Sequence, residues 1–545
     1  MTETGDREKI LFPQTFIQIH YHNRIGGVTK VMEHYAEAFN RCRHSGEAQN
    51  IIICSLIERK NCFKSGVRLI HAPDCDYHSY RSGVVFEKCR RRLVSLLVNI
   101  IENHELKLPV CVVGHNMTLG KNCALTSAFA ELCKKYRSPS SMVQFVSVIH
   151  DLAEEGRMRM LDEIERVAGF RKKFKSEIYP ETGNVRFVVL NHRTAQVLNT
   201  AGVISRQVPN PVFPPPIDTS LSPKDKEYIQ NALVRLAAED ATRFDPSKRI
   251  VFYPVRILGR KNVVESILYG CVMLKANLVI GGTGKTRADI KLFDTIKEFC
   301  RRNALTVVFD VNRISSLLPS YMKSLPVFPL LISLCDVCIT TSVAEGFGYA
   351  FFEPWLYNKV VTGRKAKGFS SPEAFDTSLF YSRLPVPAEW ISAAKLKKKY
   401  FSALKRHYRL SEYASFKKFS AHFDKKMLQT NTLDFAECDI ENQLAVLDRL
   451  LKDPYSLERL KNSLDNHLQK LHSSLYCSMI VAANKKAVED ALSYPAFIQS
   501  FKKIILNRRA GRRLLDRRIP AIKEFFGDLQ EFRLLLTPDA RVFES

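Results

Sequence analysis

Residues 330–359, LLISLCDVCITTSVAEGFGYAFFEPWLYNK, hold the pattern that decides the fold. The apolar run 330–343 predicts a buried strand or a strand-like approach, and residues 350–359 predict the start of a helix. Between them, Gly346 and Gly348 allow backbone N–H groups to approach a ligand closely at a helix start, where negative charge is favoured. This strand–loop–helix order is typical of a protein built on a parallel sheet.

Two glutamates bracket the loop, and they are the first candidate site residues. Glu345 and Glu353 stand eight positions apart, with an aromatic residue flanked by glycines between them. This arrangement suits a loop that faces a polyhydroxylated, phosphorylated ligand, because Glu353 can accept hydrogen bonds from two hydroxyls of a ribose or sugar. The alternative is an ordinary joint between a strand and a helix, with two surface acids.

Outward from this stretch, short β-branched runs alternate with longer amphipathic segments in two successive halves. Strands are predicted at 16–22, 49–56, 109–116, 145–152 and 185–192 in the first half, and at 248–255, 276–282, 305–311, 335–341 and 359–364 in the second. The alternation predicts an α/β fold with a parallel sheet in each half, covered by helices. Ligands of such sheets bind beyond the carboxyl ends of the strands, here in a cleft between two Rossmann-like halves.

The length and the proline-rich stretch 208–225 set the predicted domain boundaries. A chain of 545 residues exceeds one ordinary core. We predict a first domain at 1–210, a second at 211–490, and a crossing helix with basic carboxy-terminal helices at 491–545.

Composition indicates a globular protein with anionic partners. Apolar residues make up 46% of the chain, no apolar run reaches the length of a membrane span, and the polar start MTETGDREKI is unlike a signal peptide, which predicts the cytoplasm. The net charge of +26 favours phosphates, nucleic acid or an anionic membrane surface as company. The 14 cysteines are scattered, so buried reduced thiols are expected, including the close pair Cys335 and Cys338.

A basic helical insertion at about 393–430 breaks the alternation. Leu396, Tyr400, Leu404 and Tyr408 recur at four-residue spacing among lysines and arginines. Such a helix can lie on an anionic membrane or cap a core with a charged outer face, and we favour the core-capping interpretation. The basic stretch 501–520 has no motif that supports nucleic-acid binding, so none is expected.

Cations and glycines follow predicted strands at several points. Gly26 and Gly27 open the first helix and form a plausible phosphate cradle, although such a pair also serves close strand–helix packing. Arg256 and Lys261 leave a strand end together, as a diphosphate leaving group requires, with Arg260 beside them. A solvated loop in a basic protein explains the same residues.

Two further motifs lie at the ends of predicted strands. GGTGKT at 281–286 lacks the first glycine of a phosphate-binding loop, because that position is Val279, so it predicts only a turn after a strand. His150 and Asp151 end a predicted strand. The histidine can contact a sugar hydroxyl, stabilise developing charge or serve structure alone, and Asp151 can hold the imidazole or cap a helix.

Taken in order, these motifs resemble the family 4 retaining glycosyltransferases, which have the GT-B fold. The resemblance covers most of the chain to about residue 505, except 393–430. The matching segments are GGVTKV (26–31), VIHDL (148–152), VPNPV (208–212), PVRILGRK (254–261), LVIGGTG (278–284), EGFGYAFFE (345–353), TLDFAECDIENQLAVLDRLLKD (432–453) and LSYPAFIQSF (492–501).

The resemblance implies a nucleoside-diphosphate sugar donor bound mainly by the second domain, and an acceptor bound by the first. Arg256 and Lys261 would hold the diphosphate, and Glu353 the ribose. Glu345 would face the transferred sugar and would act with His150.

The remaining site residues that the resemblance implies act through the backbone. Gly26, Gly27 and Gly282 would allow close approach to the donor, and the backbone at Phe347, Gly348 and Tyr349 would contact the donor sugar. The family needs no metal and no cofactor. It retains the anomeric configuration, by front-face transfer in which the leaving diphosphate helps to deprotonate the acceptor.

The sequence departs from the family at three positions and leaves other functions open. Asn262 replaces the glycine after the lysine, Pro211 replaces a hinge glycine, and Asn191 stands where a serine commonly ends the fifth strand. The charge favours an anionic acceptor or docking at the inner membrane face. The alternatives are a GT-B epimerase or phosphorylase, and a non-enzymatic protein that binds nucleic acid or membranes.

Overall fold

The computed structural model describes residues 12–24, 26–41, 49–56, 66–213, 221–284, 286–408, 415–474, 478–506 and 518–536. The chain forms two compact units. Unit 1 comprises Met1–Pro211 and Leu492–Phe525, and unit 2 comprises Val212–Ala491 and Phe526–Ser545.

Unit 1 is built on a parallel sheet of seven strands in the order β3-β2-β1-β4-β5-β6-β7. The strands are β1 Thr15–Ile19, β2 Gln49–Cys54, β3 Val67–His71, β4 Val110–His115, β5 Val143–Ile149, β6 Val185–Val189 and β7 Ser205–Gln207. All six residues of the central strand β4 are buried, because helices cover both faces of a parallel sheet. Five of these strands confirm the predicted ones. The edge strands β3 and β7 were not predicted, because polar residues interrupt the apolar residues of β3 and make up β7.

The helices of unit 1 include one that returns from the far end of the chain. They are α1 Gly27–Arg41, α2 Gly83–Ile101, α3 Cys123–Lys135, α4 Met158–Phe170, α5 Phe174–Ile178, α6 His192–Thr200, α19 Tyr494–Ile505 and the start of α20 Arg518–Gly527. Helix α19 packs on α1 through aromatic rings, with centroids 4.4 Å apart for Tyr35–Phe497 and 5.2 Å apart for Phe39–Phe501. Asn191 begins α6 as its N-cap, because its side chain accepts a hydrogen bond from the Thr194 N–H.

Unit 2 has a parallel sheet of six strands in the order β10-β9-β8-β11-β12-β13. The strands are β8 Ile250–Ile257, β9 Asn277–Thr283, β10 Val307–Val308, β11 Val337–Thr340, β12 Val360–Arg364 and β13 Phe380–Tyr381. A separate antiparallel pair joins β14 Pro385–Pro387 to β15 Thr432–Asp434. The predicted α/β class with two Rossmann-like parallel-sheet domains is therefore confirmed.

Unit 2 contains the remaining helices. They are α7 Pro223–Glu239, α8 Val263–Ile267, α9 Arg287–Arg302, α10 Ile314–Leu317, α11 Val327–Leu334, α12 Tyr349–Phe352, α13 Ala393–His407, α14 Phe416–Met427, α15 Ile440–Lys452, α16 Pro454–Asn462, α17 Asp465–Ser474 and α18 Ser478–Ala491. None of the helices within the described ranges is both long enough and apolar enough to span a bilayer.

The stretch 330–359 differs from its prediction at both ends. Residues 330–334 finish helix α11, and only Val337–Thr340 form a strand, because a short apolar run does not distinguish a buried helix from a strand. After the loop, α12 has a single turn and continues as the 3-10 helix Glu353–Tyr357. Pro354 lacks the N–H that an α-helix would need there. A helix this short contributes little dipole to an anion site.

The apolar residues of the basic insertion are buried in unit 2. Leu396, Tyr400 and Leu404 have no exposed surface, and Tyr408 is 6% exposed. The Tyr400 ring packs against Phe423 and Phe532, at centroid distances of 5.2 and 5.6 Å. The core-capping interpretation is confirmed for this side of α13, so its apolar stripe is not available to a membrane.

Two other predictions from the sequence have different outcomes. All described cysteines are free, and the Cys335 and Cys338 sulfurs lie 3.5 Å apart in the interior, which confirms the expected buried thiols. Residues 507–517, the centre of the basic carboxy-terminal stretch, and the polar start 1–11 lie outside the described residues.

Candidate active site

The carboxyl ends of β8 and β9 place an arginine beside a glycine. Arg256 pairs in register with Gly282 after an irregularity that begins at Tyr253. A Cβ atom at Gly282 would lie 3.9 Å from Cγ of Arg256 and 3.0 Å from Nδ2 of Asn312, so a larger residue would crowd this corner. The Arg256 side chain is exposed and forms no ion pair or hydrogen bond with the described residues. It is therefore free to meet an anion from solution.

Hydrogen bonds from two hydroxyl groups fix the backbone of the loop after β8. Gly259–Lys261 form a 3-10 turn. The Lys261 carbonyl accepts hydrogen bonds from the Tyr253 hydroxyl at 2.7 Å and from Oγ1 of Thr341 at 3.1 Å. Thr341 follows β11, so these bonds tie the end of one strand to the loop after its neighbour. The Lys261 backbone cannot drift away from the strand end.

Asn262 explains how the chain replaces the glycine that the resemblance leads one to expect. Its φ of 50° lies in the left-handed region, which asparagine tolerates better than most residues. Its Nδ2 donates to Glu265 at 2.6 Å, and its Oδ1 accepts from Nε2 of Gln443 at 2.8 Å. The side chain thus stabilises the turn that the glycine would only permit.

Glu345 is the anionic centre of the loop cluster. Its Oε1 forms an ion pair with Nζ of Lys261, and its Oε2 accepts from Nη1 of Arg260 at 3.0 Å. Arg260 also donates to the carbonyl of Ala344 at 3.3 Å. The structure therefore brings the predicted Lys261 and Glu345 together, and it adds Arg260 as the residue that links them.

The pKa values of this pair follow from burial and mutual attraction. Burial raises the pKa of Glu345, but the Lys261 and Arg260 cations outweigh burial and lower it to about 2. Burial lowers the pKa of Lys261 to about 8. The attraction of Glu345 raises this pKa, but the neighbouring Arg260 and Arg256 cations oppose that attraction. Glu345 is thus ionised at neutral pH, and Lys261 is a cation that sits close to its titration range.

The loop between the glutamates needs its second glycine. Gly348 has a φ of +80°, and a Cβ atom there would lie 2.7 Å from Cδ2 of Phe351. The Phe347 side chain is buried, 5.0 Å from the Tyr349 ring and 5.2 Å from the Phe352 ring between centroids. Any ligand contact at Phe347 must therefore come from its backbone.

Glu353 lies in a different environment from Glu345. It begins the 3-10 helix and is half-buried. Its charge is felt by two buried groups: desolvation raises the pKa of the Cys338 thiol and of the Tyr357 phenol, and the Glu353 carboxylate adds to both effects.

In unit 1, His150 lies beside two other buried histidines, His115 and His20, and the VIHDL motif alone did not predict this grouping. Its Nε2 lies 3.0 Å from Nδ1 of His115, and Nε2 of His115 lies 3.0 Å from Oε1 of Gln18. Nδ1 of His20 lies 3.2 Å from the His115 carbonyl. Burial lowers the pKa of His150 to about 4 and that of His20 to about 3. The only signal in the sequence was a polar residue near the end of each of three apolar runs.

Asp151 has a different role from one suggested above. Its Oδ1 accepts a hydrogen bond from Nη2 of Arg157 at 2.6 Å, while the His150 imidazole is held by His115. Neutral imidazoles suit hydrogen bonding to hydroxyls and do not supply positive charge.

Gly26 and Gly27 lie at the start of α1, and packing does not explain the second of them. Gly27 is exposed, and a Cβ atom there would meet no heavy atom within 4 Å. The Gly26 carbonyl accepts the Lys30 N–H at 3.1 Å, which begins the hydrogen bonding of the helix. Neither glycine has a side chain that could cap it. The space over Gly27 is open to a ligand.

GGTGKT serves a helix cap. Thr286 and Asp289 form a capping box at the start of α9, and a Cβ atom at Gly284 would lie 2.3 Å from Cβ of Asp289. This glycine makes room for the cap, in keeping with the rejection of a phosphate loop.

Comparison with known proteins gives one partial sequence match. No protein-family model matches the chain. The mannosylglucosyl-3-phosphoglycerate synthase of Petrotoga mobilis is 25% identical over 290 residues, which are 53% of this chain and 53% of that protein. The chain thus spans about half the length of this curated relative.

Solved structures match over most of the chain at low identity. A glycosyltransferase from Rickettsia africae is 13% identical, with a TM-score of 0.49, over 90% of this chain and 97% of that one. The sucrose-phosphate synthase of Thermosynechococcus elongatus is 12% identical, with a TM-score of 0.45, over 90% and 98%. A UDP-forming trehalose-phosphate synthase from Burkholderia xenovorans is 10% identical, with a TM-score of 0.44, over 91% and 99%.

Proposed function

We propose that this chain is a retaining glycosyltransferase that moves a hexose from a nucleoside-diphosphate sugar to an acceptor hydroxyl. The observation that carries the proposal is the cluster of Arg256, Arg260 and Lys261 with Glu345 at the strand ends of unit 2. The partial likeness to a synthase whose product carries two sugars supports the same class of reaction.

The cluster suits a diphosphate leaving group. Negative charge grows on the diphosphate as the glycosidic bond breaks, and preorganised cations stabilise it most where water is excluded. The exposed Arg256 side chain near the end of β8 offers a forked contact. The largely buried Lys261 side chain in the next loop offers a point charge. When the diphosphate takes Lys261, Arg260 still neutralises Glu345, so the carboxylate remains ionised beside the sugar.

The remaining roles follow from the same placement. Glu353 would accept hydrogen bonds from the ribose, and the backbone at Gly348 and Tyr349 would contact the sugar. Retention would follow from front-face transfer, in which the departing diphosphate takes the acceptor proton. Because the protein cations already balance the diphosphate charge, we expect turnover to persist in excess EDTA.

The acceptor in this proposal is anionic. Lys121, which follows β4 in unit 1, holds Nζ 4.0 Å from the centroid of the Tyr77 ring, and no described carboxylate forms an ion pair with it. Burial lowers the pKa of Lys121, the Arg157 cation lowers it further, and Asp151 opposes them. An acceptor phosphate or carboxylate would relieve this desolvated cation.

A thermal-shift panel of UDP-, GDP- and ADP-sugars tests the donor site. One of these donors at about 100 times its Kd should stabilise the protein by about 2.7 kcal/mol. The shift should vanish in Arg256→Ala, Lys261→Ala and Glu353→Ala and persist in Lys323→Ala, an exposed lysine of the same unit. An unchanged shift in all three site variants would overturn the assignment. Release of nucleoside diphosphate only with an acceptor separates a transferase from an epimerase.

The acceptor class is tested with 3-phosphoglycerate and its glucosyl derivative against uncharged glucosylglycerol. We expect turnover of a phosphorylated compound, and a KM for it that rises about tenfold in Lys121→Met, which is about 1.4 kcal/mol. Turnover of the uncharged compound alone, or an unchanged KM, would contradict an anionic acceptor.

A further inference from the structure

Three side chains at the carboxyl ends of the central strands of unit 1 form a continuous hydrogen-bonded chain. Gln18 in β1, His115 at the end of β4 and His150 after β5 are joined by two contacts of 3.0 Å. All three are at most 9% exposed. In such a buried chain each donor must face an acceptor, so the proton positions follow from the order of the groups.

The Gln18 amide sets the direction of the chain. Its Nε2 donates to the Met32 carbonyl at 3.1 Å. The opposite orientation would set the amide oxygen against that carbonyl, and two acceptors would then face each other. Oε1 must therefore face Nε2 of His115, and this nitrogen must carry a proton.

His115 then passes the direction on to His150. Burial holds the pKa of His115 well below its usual value, so its ring is neutral and carries one proton. With that proton on Nε2, Nδ1 is an acceptor. Nε2 of His150 must donate to it, and a neutral His150 consequently has its lone pair on Nδ1.

The backbone around His150 is fixed as well. Oδ1 of Asn116 accepts the N–H groups of His150 and Asp151, at 2.8 and 3.2 Å. The Asn116 carbonyl accepts the Tyr21 hydroxyl at 2.7 Å. The ring of His150 therefore has a fixed origin as well as a fixed proton, and its Nδ1 has no hydrogen-bond partner among the described residues.

We propose that Gln18 and His115 are positioning residues that hold His150 in its Nε2–H tautomer, so that Nδ1 accepts a hydrogen bond from a substrate hydroxyl. The tautomer stands on the contacts of unit 1 alone, and its use on a hydroxyl rests on the proposed function. His150 thereby acts as an acceptor and not as a cation at the sugar.

The charged and titratable groups near the chain do not reverse this assignment. Next to His150, the Asp151 carboxylate is paired with Arg157. Next to His115, His20 donates through Nδ1 to the His115 carbonyl, and the Tyr35 ring lies 5.5 Å away between centroids. Of the nearby groups, Lys121 acts on His20 and further lowers its pKa. No described carboxylate contacts the His115 ring.

Gln18→Glu is the decisive variant. A carboxylate at this position would stabilise a His115 cation, whose Nδ1–H would then donate to Nε2 of His150. His150 would change to the Nδ1–H tautomer and lose its acceptor. We expect turnover to fall about 10- to 100-fold, as for an unmet hydrogen bond, while the thermal shift with the donor stays.

Long-range proton–nitrogen NMR of histidine-labelled protein at pH 7 reads the tautomers directly. We expect Nε2–H forms for His115 and His150 in the parent chain, and an Nδ1–H form for His150 in Gln18→Glu. His71→Gln, which removes an exposed histidine of β3, is the matched control and should change neither tautomer nor turnover.

The outcomes separate the relay from the function. An Nδ1–H form of His150 in the parent chain, or an unchanged His150 beside a His115 cation in Gln18→Glu, would overturn the relay. A changed tautomer with unchanged turnover would overturn its role toward the hydroxyl. Expected tautomers with no thermal shift from any donor would count against the proposed function and leave the relay standing.

Discussion

The two sheets of this protein place different chemistry at the same position. In unit 1 the carboxyl ends of β1, β4 and β5 carry His20, His115 and His150, all buried and neutral. In unit 2 the ends of β8 and β11 lead to Lys261 and Glu345, which are ion-paired. The topology is shared, but the ionisation is not.

The difference lies in what accompanies burial. A buried charge persists only beside an opposite charge, and Glu345 keeps its negative charge because two cations contact it. The imidazoles of unit 1 contact an amide, a carbonyl and each other, so burial drives them neutral. A charged edge suits a diphosphate, and a neutral edge suits hydroxyls.

Removing the Lys261 cation from the strand ends of unit 2 should have the largest effect on activity. Lys261→Ala leaves the donor diphosphate without its buried charge, and we expect kcat/KM to fall about 10²- to 10³-fold. Steady-state rates with the donor found in the panel would measure this. Lys323→Ala should keep full activity, and a melting curve would show that Lys261→Ala is still folded. A loss under threefold in folded protein would contradict the role.

The pH dependence of donor binding should reveal the paired lysine. With a pKa of about 8, Lys261 loses its charge as the pH rises through that value, so the donor Kd should increase, approaching tenfold per pH unit above it. In Glu345→Gln the attractive partner is gone, the pKa of Lys261 falls further, and the increase should begin at lower pH. Titration calorimetry from pH 6 to pH 9.5 would measure both. A Kd independent of pH would contradict the lowered pKa of Lys261, and an increase that begins at the same pH in both proteins would contradict the pairing with Glu345.

Acid stability should separate the two edges with a smaller effect. The pKa of Glu345 is depressed from 4.5 to about 2, so the group adds to the free energy of unfolding above about pH 4.5 and loses this as the pH falls toward 2. The His150 pKa is also depressed, from 6.5 to about 4, so the unfolded chain takes up a proton that the folded chain does not, and stability falls between about pH 6.5 and pH 4. Glu345→Gln should flatten the first dependence in denaturant titrations. An identical pH profile would show that Glu345 is not ion-paired.

Asn262 tests how the charged edge is built. Asn262→Ala places a left-handed φ on alanine and removes two buried hydrogen bonds, so we expect a loss of about 2 kcal/mol in unfolding free energy. Asn262→Gly relieves the φ and keeps the loss of hydrogen bonds, so it should cost less than alanine. Denaturant titration of both variants is the measurement. If alanine were the milder change, the left-handed conformation would not matter.

The smallest expected effect concerns membranes. Because the apolar side of α13 is buried, we expect no binding to phosphatidylcholine vesicles and only salt-sensitive sedimentation with phosphatidylglycerol vesicles. Binding that persists at about 0.5 M salt would mean that apolar residues enter the bilayer.

Local patterns predicted much of the fold and part of the site. Strands with continuous apolar runs, such as β4 and β11, were visible because both faces of a parallel sheet are covered. The left-handed φ of Gly348 was accessible to the same reasoning, since the glycine stands at a loop before a helix. The edge strands were missed because their polarity is mixed. The end of α11 was predicted as a strand, because a short apolar run has no periodicity that distinguishes a helix from a strand.

The sequence by itself determined which residues stand at the strand ends, including Arg256, Lys261, Glu345 and His150. Only the tertiary structure decided their partners and their charges. Arg260 meets Glu345 across 85 residues, and Gln18 meets His115 across 97, because parallel strands from distant parts of the chain end at one edge. Burial there is a property of the packed sheet, and it makes one edge ionic and the other neutral.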